Sequence, residues 1–137
     1  MWHRPTGDRR FPATAGLLAL MLAIAPGGVA ADREVRTRVA LGALAYADNC
    51  QSCHKLDGYG EEALYPSLQN PALLANKALL ISTILHGRFR DSDRPTPLMP
   101  ALNFLSDTEV AGIIAFISNT WGEEVLMITE DEVAEAR

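Results

Sequence analysis

Five consecutive residues, Cys50-Gln51-Ser52-Cys53-His54, concentrate the reactive chemistry of this chain. Two thiols three positions apart stand about one helical turn from each other. Both can therefore bond along one edge of a flat macrocycle. The histidine after the second Cys is carried beneath that ring, where its imidazole can bind a metal. Cys-x-x-Cys-His is the spacing of covalent haem attachment, with Cys50 and Cys53 as thioether donors and His54 as an axial iron ligand.

Other uses of the same residues fit less of the pattern. The chain has 2 Cys and 3 His, so a zinc site would have to be completed by histidines or carboxylates. His54 also follows Cys53 too closely for the usual zinc spacing. A thioredoxin-like redox pair needs a βαβ setting, and no segment shows the alternation of a strand. A structural disulfide leaves His54 without a part to play.

An iron held by His54 has a second axial position to fill. Met99 stands in Pro97-Leu98-Met99-Pro100, a loop stiffened by proline on both sides, which helps to hold a weak thioether donor in place. His86 is a second candidate, although beside Gly87 at a helix end it suits the capping of a free carbonyl. An open or water-bound position is the third. Met127, in an acidic tail, reads as an ordinary packing residue. His/Met ligation raises the reduction potential relative to harder ligands and leaves no place for oxygen or substrate.

The N-terminal segment bears on where this chemistry happens. Arg4, Arg9 and Arg10 precede an uncharged, largely apolar run from Ala13 to Ala25, which Pro26-Gly27-Gly28 interrupts. Val29-Ala30-Ala31 then offers small residues for cleavage before Asp32. The run is too short to cross a bilayer as a stable helix. Residues 1–31 are expected to be an export signal, with an uncleaved anchor as the alternative. Residues 32–137 are expected to be one domain with no stable membrane insertion. Export implies a periplasmic, oxidising compartment, where an exposed thiol pair must be reserved for haem.

The charge balance narrows the partners. The whole chain has a formal charge of −5; without residues 1–31 it loses three Arg and one Asp and reaches −7. An acidic domain lacks the basic footprint that nucleic acid requires. It is repelled by anionic lipid and attracted to basic docking surfaces on other proteins.

The elements that must position these residues are helical. Val35 to about Asn49 reads as a first helix, with Val39, Gly42, Ala43 and Tyr46 at helical spacing, running into the Cys-x-x-Cys-His turn. Asp57 to Gly60 is loop, and Tyr65-Pro66 is extended because the residue before proline avoids the helical region. Asn76 to His86 is a helix stopped by Gly87. Arg88 to Ala101 is a proline-rich loop, in which Arg88 and Arg90 are candidates for haem propionate contacts. Ser106-Asp107-Thr108-Glu109 is a capping box for a helix with Val110, Ile113, Ile114 and Ile117 on one face. Thr129-x-x-Glu132 caps a short final helix. Gly42 lies four residues before Tyr46, and Gly112 four before Phe116. Each helix thus offers a notch beside an aromatic knob, and the two are expected to cross with each ring over the other's notch.

Taken in order, these residues resemble a family. Gly42-x-x-x-Tyr46, Cys50-x-x-Cys53-His54, Asp57-Gly58-x-Gly60, Pro66-x-Leu68, Met99-Pro100 and the late helix with Phe116 are similar to the class I c-type cytochromes, in bacterial single-haem form. The resemblance implies a small all-α fold wrapped around one covalently attached haem c, with electron transfer as its activity. It also implies that the Pro66 carbonyl accepts a hydrogen bond from the far ring nitrogen of His54. Met99-Pro100-Ala101, Leu105-Ser106-Asp107-x-Glu109-Val110 and Ser118-Asn119-x-Trp121-Gly122 are similar to cytochrome subunits that accompany periplasmic dehydrogenases. Such a subunit takes electrons from a dehydrogenase and passes them to an oxidase or reductase; it is not itself an enzyme. Lys55 departs from the pattern, because glycine commonly follows the haem histidine. The contrasting expectation, from another class of function, is a haem enzyme or gas-sensing module in which Met99 is labile and a small molecule reaches iron.

Overall fold

The computed structural model describes residues 27–62, 64–88 and 99–137. Most of the expected export signal (residues 1–26) and the loop residues Arg90, Pro97 and Leu98 lie outside that range. Six helices make up the described fold: α1 Gly27–Asn49, α2 Gln51–His54, α3 Pro71–Leu74, α4 Lys77–His86, α5 Asp107–Trp121 and α6 Glu130–Ala134. Among the described residues β-structure is confined to two isolated bridges, Glu61–Tyr65 and Arg88–Met99. The architecture is all-α, as expected. No helix among the described residues is long and apolar enough to cross a membrane.

The first helix begins earlier than its apolar pattern indicates. Its first turns are solvent-exposed and carry little apolar periodicity, so local terms must hold them. Ala30 and Ala31 are good helix formers. Arg36 pairs with Asp32, and Arg38 lies 3.9 Å from Glu34, each at the i,i+4 spacing that supports a helix. Gly27-Gly28, a break in the sequence pattern, forms the opening turn, and the helix crosses the expected boundary at residue 31.

Helix caps define the other ends. Asn70 accepts from the N–H groups of Ala72 and Leu73 and places Pro71 at the start of α3, where a missing proline N–H costs nothing. Asn76 caps α4 through Leu79 N–H at 3.0 Å, and Gly87 ends that helix with φ +71°. Ser106 and Glu109 form the expected capping box of α5, and Thr129 and Glu132 that of α6.

The core is gathered around α5, whose Val110, Ile113, Ile114 and Ile117 are all buried, together with Leu80, Ile81, Ile84 and Leu85 of α4. Helix α1 crosses α5 where Gly42 meets Gly112. The crossing differs in one respect from the expected arrangement: glycine faces glycine, and ring faces ring. The Tyr46 and Phe116 rings lie 5.2 Å apart, and Trp121 packs edge-on against both at 5.6 and 5.8 Å. Backbone-to-backbone contact at the glycines leaves no space for a ring there, so the aromatics meet one turn further along. This cluster stands beside the turn that carries Cys50 to His54.

Candidate functional site

Helix α1 delivers the site. Cys50 N–H donates to Tyr46 O at 2.8 Å, which continues the helix, and Cys50 then opens the single turn of α2. His54 N–H donates to Cys50 O at 2.9 Å. Cys50 is buried, Cys53 half-buried, and both are free thiols. Burial, reinforced by the neighbouring Cys53, pushes the Cys50 thiol up to about 11. That is the reverse of the depression which marks a reactive redox pair. Among the described residues no three His, Cys, Asp or Glu side chains gather as a metal-ion site, so the thiols find no zinc donors there.

His54 is 9% exposed and fixed from three sides. Its N–H is bound as described, its carbonyl accepts from Gly60 N–H at 3.0 Å, and its Nδ1 lies 3.1 Å from the Pro66 carbonyl oxygen. A carbonyl only accepts, so the proton of the neutral ring sits on Nδ1 and the lone pair on Nε2. Burial lowers the His54 pKa, partly opposed by the Pro66 hydrogen bond, and so favours that neutral ring. Among the described residues nothing hydrogen-bonds Nε2.

The loop that brings Pro66 to His54 is tied at several points. Asp57 Oδ1 accepts from Tyr59 N–H at 3.1 Å, the Asp57 carbonyl accepts from Gln69 Nε2 at 2.8 Å, and Leu68 N–H donates to Gly58 O at 2.8 Å. Gly60 sits at φ +70°, and a Cβ there would come within 2.9 Å of the Pro66 carbonyl oxygen itself. Only glycine allows this turn and the acceptor to share the space.

Two features of the site are not visible as motifs. The Tyr46 hydroxyl donates to the Lys55 carbonyl at 2.7 Å, so the aromatic cluster grips the residue after His54; burial raises the phenol to about 12. Lys55 itself has φ +67°. The one sequence signal was the absence of the expected glycine at that position.

The candidates for the second axial position occupy different places. Met99 is half-buried and packs against the core. Its carbonyl accepts from Arg88 N–H at 3.0 Å, while Leu102 N–H donates to Ile84 O at 2.9 Å, so the segment is docked on the end of α4. His86 is exposed, and its Nε2 lies 2.9 Å from the Ala136 carbonyl oxygen. It does meet a carbonyl, but one in the C-terminal tail instead of its own helix. Met127 is half-buried, with its carbonyl accepting from Lys77 Nζ at 3.1 Å. Arg88 is exposed.

The donor set fits a covalently held haem. Two free thiols lie one turn apart, and the imidazole beside them presents Nε2 because Nδ1 is committed to a carbonyl. Comparison with known proteins agrees. The cytochrome c family model matches residues 39–121. The cytochrome c subunit of a quinone alcohol dehydrogenase from Gluconobacter oxydans (strain 621H) is 29% identical over 129 residues, covering 84% of this chain and 27% of the relative. Subunits of the same description from Gluconacetobacter polyoxogenes and Komagataeibacter europaeus are each 30% identical over 89 residues, covering 61% of this chain and 19% of the relative. The chain thus spans about a quarter or less of the length of these relatives. The matched span holds Gly42, Tyr46, both thiols, His54 and the whole of α5: the chain belongs to the cytochrome c family, as a class I c-type cytochrome.

Proposed function

We propose that this chain is a periplasmic electron carrier with one haem c, bound through Cys50 and Cys53 and ligated by His54 and Met99. It takes electrons from a dehydrogenase and hands them to an oxidase or reductase. The observation that carries the reading is the buried His54 ring directly after the two thiols, with Nδ1 held by Pro66 and Nε2 left for iron. The haem, when bound, supplies a one-electron Fe(III)/Fe(II) couple.

The protein's own residues supply the rest. Pro66 fixes the tautomer and orientation of His54 and strengthens it as a donor. The Tyr46–Phe116–Trp121 cluster and the Tyr46 hydroxyl brace the turn that carries the ligand. The docking of Met99 on α4 restrains the segment bearing the thioether. A dehydrogenase as donor is supported by the similarity to dehydrogenase cytochrome subunits, and export by the sequence of residues 1–31.

The test is an absorption spectrum of the oxidised and reduced protein, exported with haem-maturation machinery, beside Met99→Ala. The expected wild type is low-spin, holds haem covalently and resists carbon monoxide; the variant turns high-spin and binds it. A high-spin wild type, or a variant with an unchanged spectrum, would reject Met99 and favour a haem enzyme or gas sensor.

A further inference from the structure

Lys55 follows His54 directly and is the one non-glycine with positive φ among the described residues. Its φ of +67° with ψ of 169° belongs to a region that is essentially glycine's own. Its backbone is pinned there: the N–H donates to Gln51 O at 2.9 Å, and the carbonyl accepts the Tyr46 hydroxyl at 2.7 Å. The side chain then spans outward. Nζ lies 3.4 Å from Glu61 Oε2 and 5.8 Å from the centre of the Tyr65 ring. Glu61 and Tyr65 are themselves joined by two backbone hydrogen bonds, of 3.0 and 2.8 Å. Tyr65 precedes Pro66, whose carbonyl receives the His54 Nδ1–H. The ammonium therefore connects the residue after the histidine to the turn that delivers the histidine's acceptor.

We propose that Lys55 is a positioning residue. It holds the Glu61–Tyr65 turn, and with it the Pro66 carbonyl, against the His54 ring, and so sets the donor strength of that imidazole. The inference rests on His54 being the iron ligand. Both partners of the ion pair are largely solvated, at 43% and 49% side-chain exposure, so the pair adds little to stability. Its contribution is geometric, because both groups that meet Nζ belong to one turn. A tighter Nδ1–H···O bond makes His54 a stronger donor and favours the oxidised metal; slackening it raises the potential.

The proposal separates cleanly from a simple charge effect. Acting through space, loss of the Lys55 cation lowers the potential, whereas loss of the Glu61 anion raises it. Acting as a tie, Lys55→Met and Glu61→Gln free the same turn and shift the potential the same way, upward. Lys55→Arg keeps the charge, the reach and the ring contact, and retains the wild-type value.

The experiment is a redox titration of the haem-loaded wild type and these three variants at matched ionic strength, with the His54 Nδ1–H proton resonance recorded in the reduced protein. The expected result is an upward shift in both uncoupled variants, an upfield move of that resonance in both, and wild-type behaviour for Lys55→Arg. Potential shifts of opposite sign, or an unmoved resonance, would overturn the tie. Glu61→Gln preserves the shape of an exposed side chain, so its resonance decides the matter even where Lys55→Met folds poorly. A wild type without covalent haem would overturn the ligand reading itself, and this inference with it.

Discussion

Gly42 and Gly112 meet backbone to backbone at the crossing of α1 and α5, with no space for a side chain on the first. A Cβ on Gly42 would overlap the Gly112 carbonyl oxygen and lie 3.0 Å from Ile113 N; one on Gly112 would lie 3.1 Å from Gly42 N. The obstacle in each case is helix backbone, which cannot rotate away as a side chain can.

Gly42→Ala is therefore expected to destabilise the protein by about 3 kcal/mol, the upper range for overpacking a core. The same substitution at an open helical site is stabilising by up to ~1 kcal/mol, so the sign of the change decides. Chemical denaturation should place the midpoint of Gly42→Ala well below that of wild type; an unchanged or higher midpoint would remove the close crossing.

Much of this fold was legible because its signals are local. Ser106 with Glu109, Thr129 with Glu132, and His86 followed by Gly87 each marked a helix end that the structure keeps. The crossing of α1 with α5 was legible because a notch has only a few possible partners in so short a chain; that glycine faces glycine, with the rings meeting one turn further along, was not. The start of α1 was not, because its first turns bury no stripe and are held by charge pairs. Helix α3 was missed although Asn70-Pro71 is a start signal, because one turn leaves no periodicity to detect. At the site, Cys50, Cys53 and His54 stand together in sequence. The Lys55–Glu61–Tyr65 contacts depend on a backbone angle that no spacing reveals.

One side chain ties the C-terminal end of the tail to the start of α5. Arg137 Nε donates to Asp107 Oδ1 at 2.7 Å, Nη1 to Asn103 O at 2.8 Å and Nη2 to Leu105 O at 2.6 Å. These join the tail to the start of α5 and the loop before it. Hydrogen bonds from a charged group contribute roughly 1.5–3 kcal/mol each when sheltered, and partial exposure of Arg137 discounts that. Arg137→Ala should cost about 1–2 kcal/mol in global unfolding and increase amide exchange in α6. Unchanged exchange of Val133 would show that α6 stays docked without Arg137.

The capping box of α5 predicts a pH dependence. Hydrogen bonds from the Ser106 hydroxyl and backbone N–H hold the Glu109 carboxyl below its ordinary value of 4.5. A carboxylate with a depressed folded-state pKa stabilises the protein above its unfolded value. That contribution disappears as pH falls through the folded value. Glu109→Gln should therefore be less stable than wild type at neutral pH, and the gap should close as the solution is acidified below about 4.5. Glu109 is solvent-exposed, so the gap is small and best read as a difference in denaturation midpoints. A gap that stays constant with pH would mean the charge plays no part in the cap.

Lys55→Gly sets two effects against each other whose sizes can be compared. A non-glycine residue in the Lys55 conformation costs on the order of 1–3 kcal/mol, and glycine removes that cost. Against it stand the greater freedom of glycine in the unfolded chain, about 0.4–1 kcal/mol, and an exposed ion pair with Glu61 worth at most ~1 kcal/mol. The central values favour the variant, so Lys55→Gly should unfold at a higher denaturant concentration than wild type, while Lys55→Met, which keeps the strain and loses the pair, should unfold at a lower one. If both variants are destabilised alike, the backbone at Lys55 is not strained and the side chain accounts for the whole effect. If glycine stabilises the fold but loses the wild-type potential, Lys55 trades stability for the placement of Pro66 against His54.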